Sequence, residues 1–123
     1  MTDTEIIIAC AKAMGYSSGE GYGHASRCPY PVGIRISEGR KAPRWYSPLY
    51  DDAQAMALVK KFKLDVWWPF NGDEWQCAEG GKRPIGNPDL NRAICEAVAS
   101  MVVAKIDMMN EINRARSGAE NDQ

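Results

Sequence analysis

The segment Leu64-Asp-Val-Trp-Trp-Pro-Phe70, followed by Asn71-Gly72 and Asp73-Glu-Trp-Gln-Cys-Ala78, constrains the fold more than any other stretch of this chain. Asn-Gly between two apolar-rich runs favours a type I′ turn, because both central positions of that turn need positive φ; the segment therefore predicts a β-hairpin. Side chains alternate along a strand, so Leu64, Val66 and Trp68 fall on one face and Asp65 and Trp67 on the other, while Trp75 and Cys77 share a side of the partner strand. Two successive tryptophans must then point to opposite faces. Helices on both sides of the sheet bury both; an open face exposes one of them. Pro69 cannot donate to a ladder, so pairing should run out beside it.

Helical patterns flank this hairpin. Thr2 and Glu5 are spaced as a capping box and Gly15 as a terminator, which predicts a helix over residues 3–14 with Ile6, Cys10, Ala13 and Met14 on one face. A second helix runs from Ala53 to about Phe62, with Asp51 or Asp52 as N-cap. It should bury Ala55, Met56, Leu58, Val59 and Phe62 and expose Lys60 and Lys61. A long final helix over residues 89–113 carries Leu90, Ile94, Val98, Met101, Val102, Lys105, Met108, Met109 and Ile112 on one stripe, followed by a disordered tail from Arg114. Between the first two helices, the alternation in Val32-Gly-Ile-Arg-Ile-Ser37 predicts a short strand with Arg35 facing away from the core. The glycine-rich stretch up to His24 follows a helix and opens none, so it lacks the strand-turn-helix setting of a dinucleotide-binding loop. With 123 residues, 45% of them hydrophobic, and no repeat or linker, one α+β domain with its own core is expected. No apolar run approaches the roughly 20 residues a bilayer needs, and no signal-like segment leads the chain, so a cytoplasmic protein with no membrane partner is expected.

The net charge of −1 hides an asymmetry: residues 27–63 hold eight basic and three acidic side chains, +5, which leaves −6 for the rest. Arg35, Arg40, Lys41 and Arg44 lie close in sequence to Trp45 and Tyr46, and Asp51 and Asp52 follow. Such a basic and aromatic block suits contact with a protein partner, or with a nucleotide whose phosphate meets the cations and whose base stacks on a ring. The overall charge argues against a general nucleic-acid coat. The four cysteines are too far apart for a zinc-binding pattern, and His24 with Cys28 makes only half a metal site. Nothing in the spacing of Asp51, Asp52, Asp65, Asp73 and Glu74 forces them together, and one His and no nucleophile elbow leave acyl transfer without a framework. No catalytic residue, cofactor or metal is assigned. Beyond Lys105 the methionines of the final helix suit a partner or homodimer surface.

The opening Thr2-Asp-Thr-Glu-Ile-Ile7, the block Trp45-Tyr-Ser-Pro-Leu-Tyr-Asp-Asp-Ala-Gln-Ala-Met-Ala-Leu-Val-Lys60, the Leu64-Asp-Val-Trp67 strand and Asn91-Arg-Ala-Ile-Cys-Glu-Ala-Val98 come in a recognisable order. The order resembles the phage ABA sandwich domain, a family related to the NinX-like proteins of lambdoid phages. Ser47 stands where that pattern has Asn and Tyr50 where it has Thr, and the segment around His24 has no counterpart. The resemblance implies a small three-layer α/β/α sandwich with a short sheet, made by a phage or prophage and acting in the host cytoplasm. It carries over no assigned biochemical activity and no catalytic residues. What it suggests is an accessory protein that binds a host or phage protein to modulate host functions or antagonise antiviral defence, with a nucleotide-sequestering protein as the alternative.

Overall fold

The computed structural model describes residues 1–18, 27–39 and 42–121; His24, Arg40 and Lys41 lie outside these. Helix α1 (Asp3–Met14) forms as its caps dictate, with Thr2 Oγ1 accepting from the Glu5 N–H (3.2 Å) and Gly15 closing the helix at φ 82°. Helix α2 (Asp52–Phe62) starts on Asp51, whose carboxylate accepts from the Gln54 N–H (2.9 Å), and stops at Lys63 with φ 52°. Helix α3 (Leu90–Asn121) starts on Asp89, which accepts from the Arg92 N–H (3.2 Å). It continues through residues 114–121, where a disordered tail is expected from the sequence.

The first turns of all three helices meet. Arg92 donates to Asp3 (2.7 Å) and Asn91 donates to Asp52 (2.8 Å). Further along, the Cys10 thiol donates to the Cys95 carbonyl (3.6 Å), and Lys12, Ala13 and Phe62 line a groove with Met101 and Val102. The helices therefore leave one shared end in the same general direction. This arrangement brings three positive helix ends together, and Asp3, Asp52 and Asp89 offset them.

The strands form two antiparallel sheets. One holds β1 (Ser17–Ser18), β2 (Ile34–Ser37) and β3 (Arg44–Tyr46); the other holds β4 (Leu64–Trp67), β5 (Trp75–Glu79) and β6 (Ile85–Asn87), each in that order. The fold is mixed α+β with the expected hairpin and long final helix. A single buried cluster joins Ile6, Ile7 and Cys10 of α1, Ile36 and Tyr46 of the first sheet, Leu58 of α2, Cys77 of the second sheet and Ile94, Cys95 and Val98 of α3.

Three local expectations change. The β4–β5 connection is not a two-residue type I′ turn: pairing ends at Trp67 opposite Gln76, and a turn over residues 69–72 is closed by the Gly72 N–H to the Pro69 carbonyl (3.0 Å), with only Asn71 left-handed (φ 64°). The missing N–H of Pro69 stops the ladder before Asn-Gly can close it. The face of this sheet that carries Asp65 and Trp67 is open, so Trp67 stays 39% exposed, and Trp68, past the last pair of β4, is 48% exposed. Met56, about 200° around α2 from Leu58, is exposed instead of buried.

Leu58→Ala is expected to destabilise the fold by about 2–5 kcal/mol, since it opens a cavity in the shared core, whereas Met56→Ala should change stability by no more than about 0.5 kcal/mol. Urea denaturation of the two variants separates these values; equal effects would contradict this assignment of the inward face.

Candidate functional site

The block from Trp45 to Gln54 turns the end of β3 into the start of α2, and its polar groups are spent on that turn. Ser47 is fully buried; its Oγ donates to the Val32 carbonyl (2.5 Å) and its N–H donates to Gln54 Oε1 (2.6 Å). Gln54 Nε2 donates in turn to the Trp45 carbonyl (3.1 Å), so one side-chain amide holds both sides of the bend. The N–H groups of Tyr50 and Asp51 return to the Ser47 carbonyl at 3.0 and 2.9 Å. Asp51 caps α2 and accepts from the Tyr30 hydroxyl (2.6 Å). That bond, followed by the Gln54 N–H, holds the Asp51 carboxyl below the usual carboxylate range, and the same bond with burial pushes the Tyr30 phenol up.

These bonds sort the residues expected to form a binding surface. Tyr46 is a core side chain, edge-on to Tyr16 with ring centroids 5.4 Å apart, so it cannot stack on a ligand. Burial pushes its phenol far up, and its hydroxyl has no hydrogen-bond partner among the described residues. Asp51 and Asp52 are occupied by helix capping and by the Asn91 bond. Arg35 and Trp45 do come together, as opposite residues of β2 and β3 with the guanidinium 5.7 Å from the ring centroid. Arg44 lies over Tyr16 (5.2 Å) and pairs with Glu38 (3.4 Å). Arg35, Trp45, Lys12 and Tyr16 line a cleft of about 580 Å³ between α1 and the first sheet. Arg40 and Lys41 fall outside the described residues.

Three of the four cysteines lie in the core, and Cys28 is half-buried. Cys10, Cys77 and Cys95 are buried free thiols. The bond with Cys10 and burial push Cys95 far up, and burial with nearby Asp65 raises Cys77 to about 11, so both stay protonated at neutral pH. Among the described residues, no three His, Cys, Asp or Glu side chains converge as a metal site, and no helix is long and apolar enough to cross a membrane.

Among the described residues, exposed large hydrophobic side chains gather at two other places. One is the hairpin, where Phe70 is 95% exposed beside Trp67 and Trp68. The other is α3 past the ends of α1 and α2, where Val103, Ile106, Met108, Met109 and Ile112 are exposed. The second was signalled by the apolar stripe past Lys105; the first belongs to the open-face alternative that the successive tryptophans left standing. Comparison with protein-family models, curated proteins and solved structures finds no match to this chain.

The Tyr30–Asp51 bond gives a pH test. A carboxyl with a depressed folded pKa adds stability that is fully present above about pH 4 and is lost as pH falls through the folded value. Tyr30→Phe should therefore be less stable than the wild type at neutral pH, with the difference shrinking in acid. Urea unfolding across a pH series checks this, and a difference independent of pH would count against it.

Proposed function

We propose that this chain is a non-catalytic accessory protein that acts by binding another protein through the projecting half of α3. The observation that carries this reading is the continuation of one apolar stripe beyond the domain. Met101, Val102, Lys105, Met108, Met109 and Ile112 fall within about 120° of the α3 axis, in line with Ile94 and Val98, which pack in the core. Every residue from Val103 to Ala115 is exposed, with Met108 at 62% and Met109 at 54%. Where the stripe leaves the domain it borders an apolar groove of about 400 Å³, lined by Ala13, Phe62, Met101, Val102 and Met109. A helix laid along this stripe and into the groove would bury the exposed methionines, whose flexible thioethers adapt to a partner's surface. The resemblance to small phage accessory proteins supports a host or phage protein as partner, met in the host cytoplasm.

Native mass spectrometry of the chain recovered from a phage-permissive bacterial lysate tests this. A bound polypeptide is expected on the wild type and should fall about tenfold or more on a Met109→Glu/Ile112→Glu variant that melts like the wild type. Retention of the partner by that variant would overturn the assignment, as would association of the chain only with a second copy of itself.

A second reading, an anionic nucleotide in the cleft beside α1, is favoured by one observation: Lys12 and Arg35 line it with Tyr16 and Trp45, and no carboxylate does so among the described residues. A nucleotide at a hundredfold excess over its Kd should then stabilise the chain by about 2.7 kcal/mol, read as a rise in Tm that Arg35→Gln removes. Equal melting with and without nucleotides would dismiss this reading.

A further inference from the structure

The open face of the second sheet carries a ring and two acids. Alternation along β4 puts Asp65 and Trp67 on the same face, and the register places Gln76 opposite Trp67 and Gly86 opposite Gln76. Glu74 lies two residues from Gln76 on that face and accepts from its side-chain amide (3.3 Å). Gly86 makes room for this carboxylate: a Cβ there would overlap Glu74 Oε1 and Gln76 Nε2. Trp67 thus has Asp65 two residues away on its own strand and Glu74 at the diagonal position of the next, with the Glu74 carboxylate turned toward Gly86.

The hairpin segment that carries this ring has charge of one sign. Residues 64–79 contain Asp65, Asp73, Glu74 and Glu79 and no Lys, Arg or His. Glu79 is paired with Lys82 (3.0 Å), but among the described residues no cation pairs with Asp65, Asp73 or Glu74, and none sits over Trp67. Phe70 adds exposed apolar surface past the end of β4, whereas Trp68 is braced edge-on against Trp75 on the other side of the sheet, with centroids 5.3 Å apart. An exposed ring on a face whose carboxylates have no cation partner complements a side chain that is apolar along its stem and cationic at its tip.

We propose that this face docks a basic segment of a partner protein, with an Arg or Lys side chain laid on Trp67, its cation at Asp65, and a second basic residue of the segment reaching Glu74. Arginine suits the Trp67 position better than lysine, because its planar guanidinium can stack on the indole while its edge donates to the Asp65 carboxylate. Phe70 takes an apolar residue of the same segment. This surface is separate from the α3 stripe, so it stands whether or not that stripe binds.

Fluorescence anisotropy with a labelled peptide alternating arginine and glycine tests the site on the full chain. Binding is expected, should weaken with added salt, and should be lost on a matched peptide alternating glutamate and glycine. Trp67→Ala and the isosteric Asp65→Asn/Glu74→Gln pair should each weaken it about tenfold or more, while Met109→Glu/Ile112→Glu binds as the wild type. The isosteric pair keeps the test intact if Trp67→Ala fails to fold. Absence of binding to the arginine peptide, equal binding of the glutamate peptide, or affinity unchanged in the isosteric pair would overturn the proposal.

Discussion

The meeting of the three helix starts governs the rest of the molecule. Arg92 on Asp3 and Asn91 on Asp52 tie the first turns of α1, α2 and α3 into one layer of charge-assisted and polar bonds. The partial positive charges of three helix ends repel one another, and the acids at those ends make the alignment tolerable. The Arg92–Asp3 pair is only partly exposed and is supported by Glu96 at 3.7 Å, so it acts in a small network. Anchoring all three helices at one end has a geometric consequence. α1 has 12 residues, α2 has 11 and α3 has 32, so the whole excess length of α3 emerges at the opposite end. The apolar stripe that serves the core for its first half is carried past the last residues able to cover it.

The same layer fixes where the hairpin points. Asn87, paired with Trp75, precedes the start of α3 by three residues, whereas Glu79 and Ile85 line a recess with Met101 and Ala104. The loop between β4 and β5 therefore lies toward the shared helix starts, away from the projecting end of α3. The two large apolar surfaces sit at opposite ends of the domain and differ in character. One is a methionine-rich helical stripe with Lys105 on its midline, the other a set of aromatic rings among carboxylates.

Local signals in the sequence were legible wherever a cap or an alternation dictated the outcome. Thr2 and Gly15 bounded α1, Asp51 opened α2, and the hairpin followed from its two apolar runs. What was not legible depended on tertiary partners. The number of faces covered on the second sheet is decided by how the helices group, and no alternation pattern reports that. The block from Trp45 to Asp52 looked like a binding surface because Trp, Tyr, Ser and paired Asp are also the residues of recognition sites. Here Tyr46 packs on Tyr16, Ser47 and Gln54 satisfy backbone groups, and both aspartates serve helix starts. A polar residue drawn into a turn by several bonds looks the same in sequence as one reserved for a ligand, and the difference lies in where its hydrogen bonds end.

That distinction is also the physical ground for placing function on the exposed rings and stripe. Buried hydrogen-bonded groups have exchanged water for fixed partners, and recruiting them to a ligand would break bonds the fold already uses. The side chains of Trp67, Phe70, Met108 and Met109 still have apolar area facing water, and a partner that covers them gains that burial without disturbing the core. In the proposed docking, the carboxylates on the Trp67 face add direction to an otherwise non-directional force: Asp65 and Glu74 would reject an acidic segment and orient a basic one. On the α3 stripe, the single Lys105 among methionines and isoleucine leaves shape and adaptability to set the choice of partner. The two proposed surfaces thus differ in kind, electrostatically ordered at the hairpin and packing-driven on the helix, and a core framed by Gln54, Arg92 and the helix caps holds both in place.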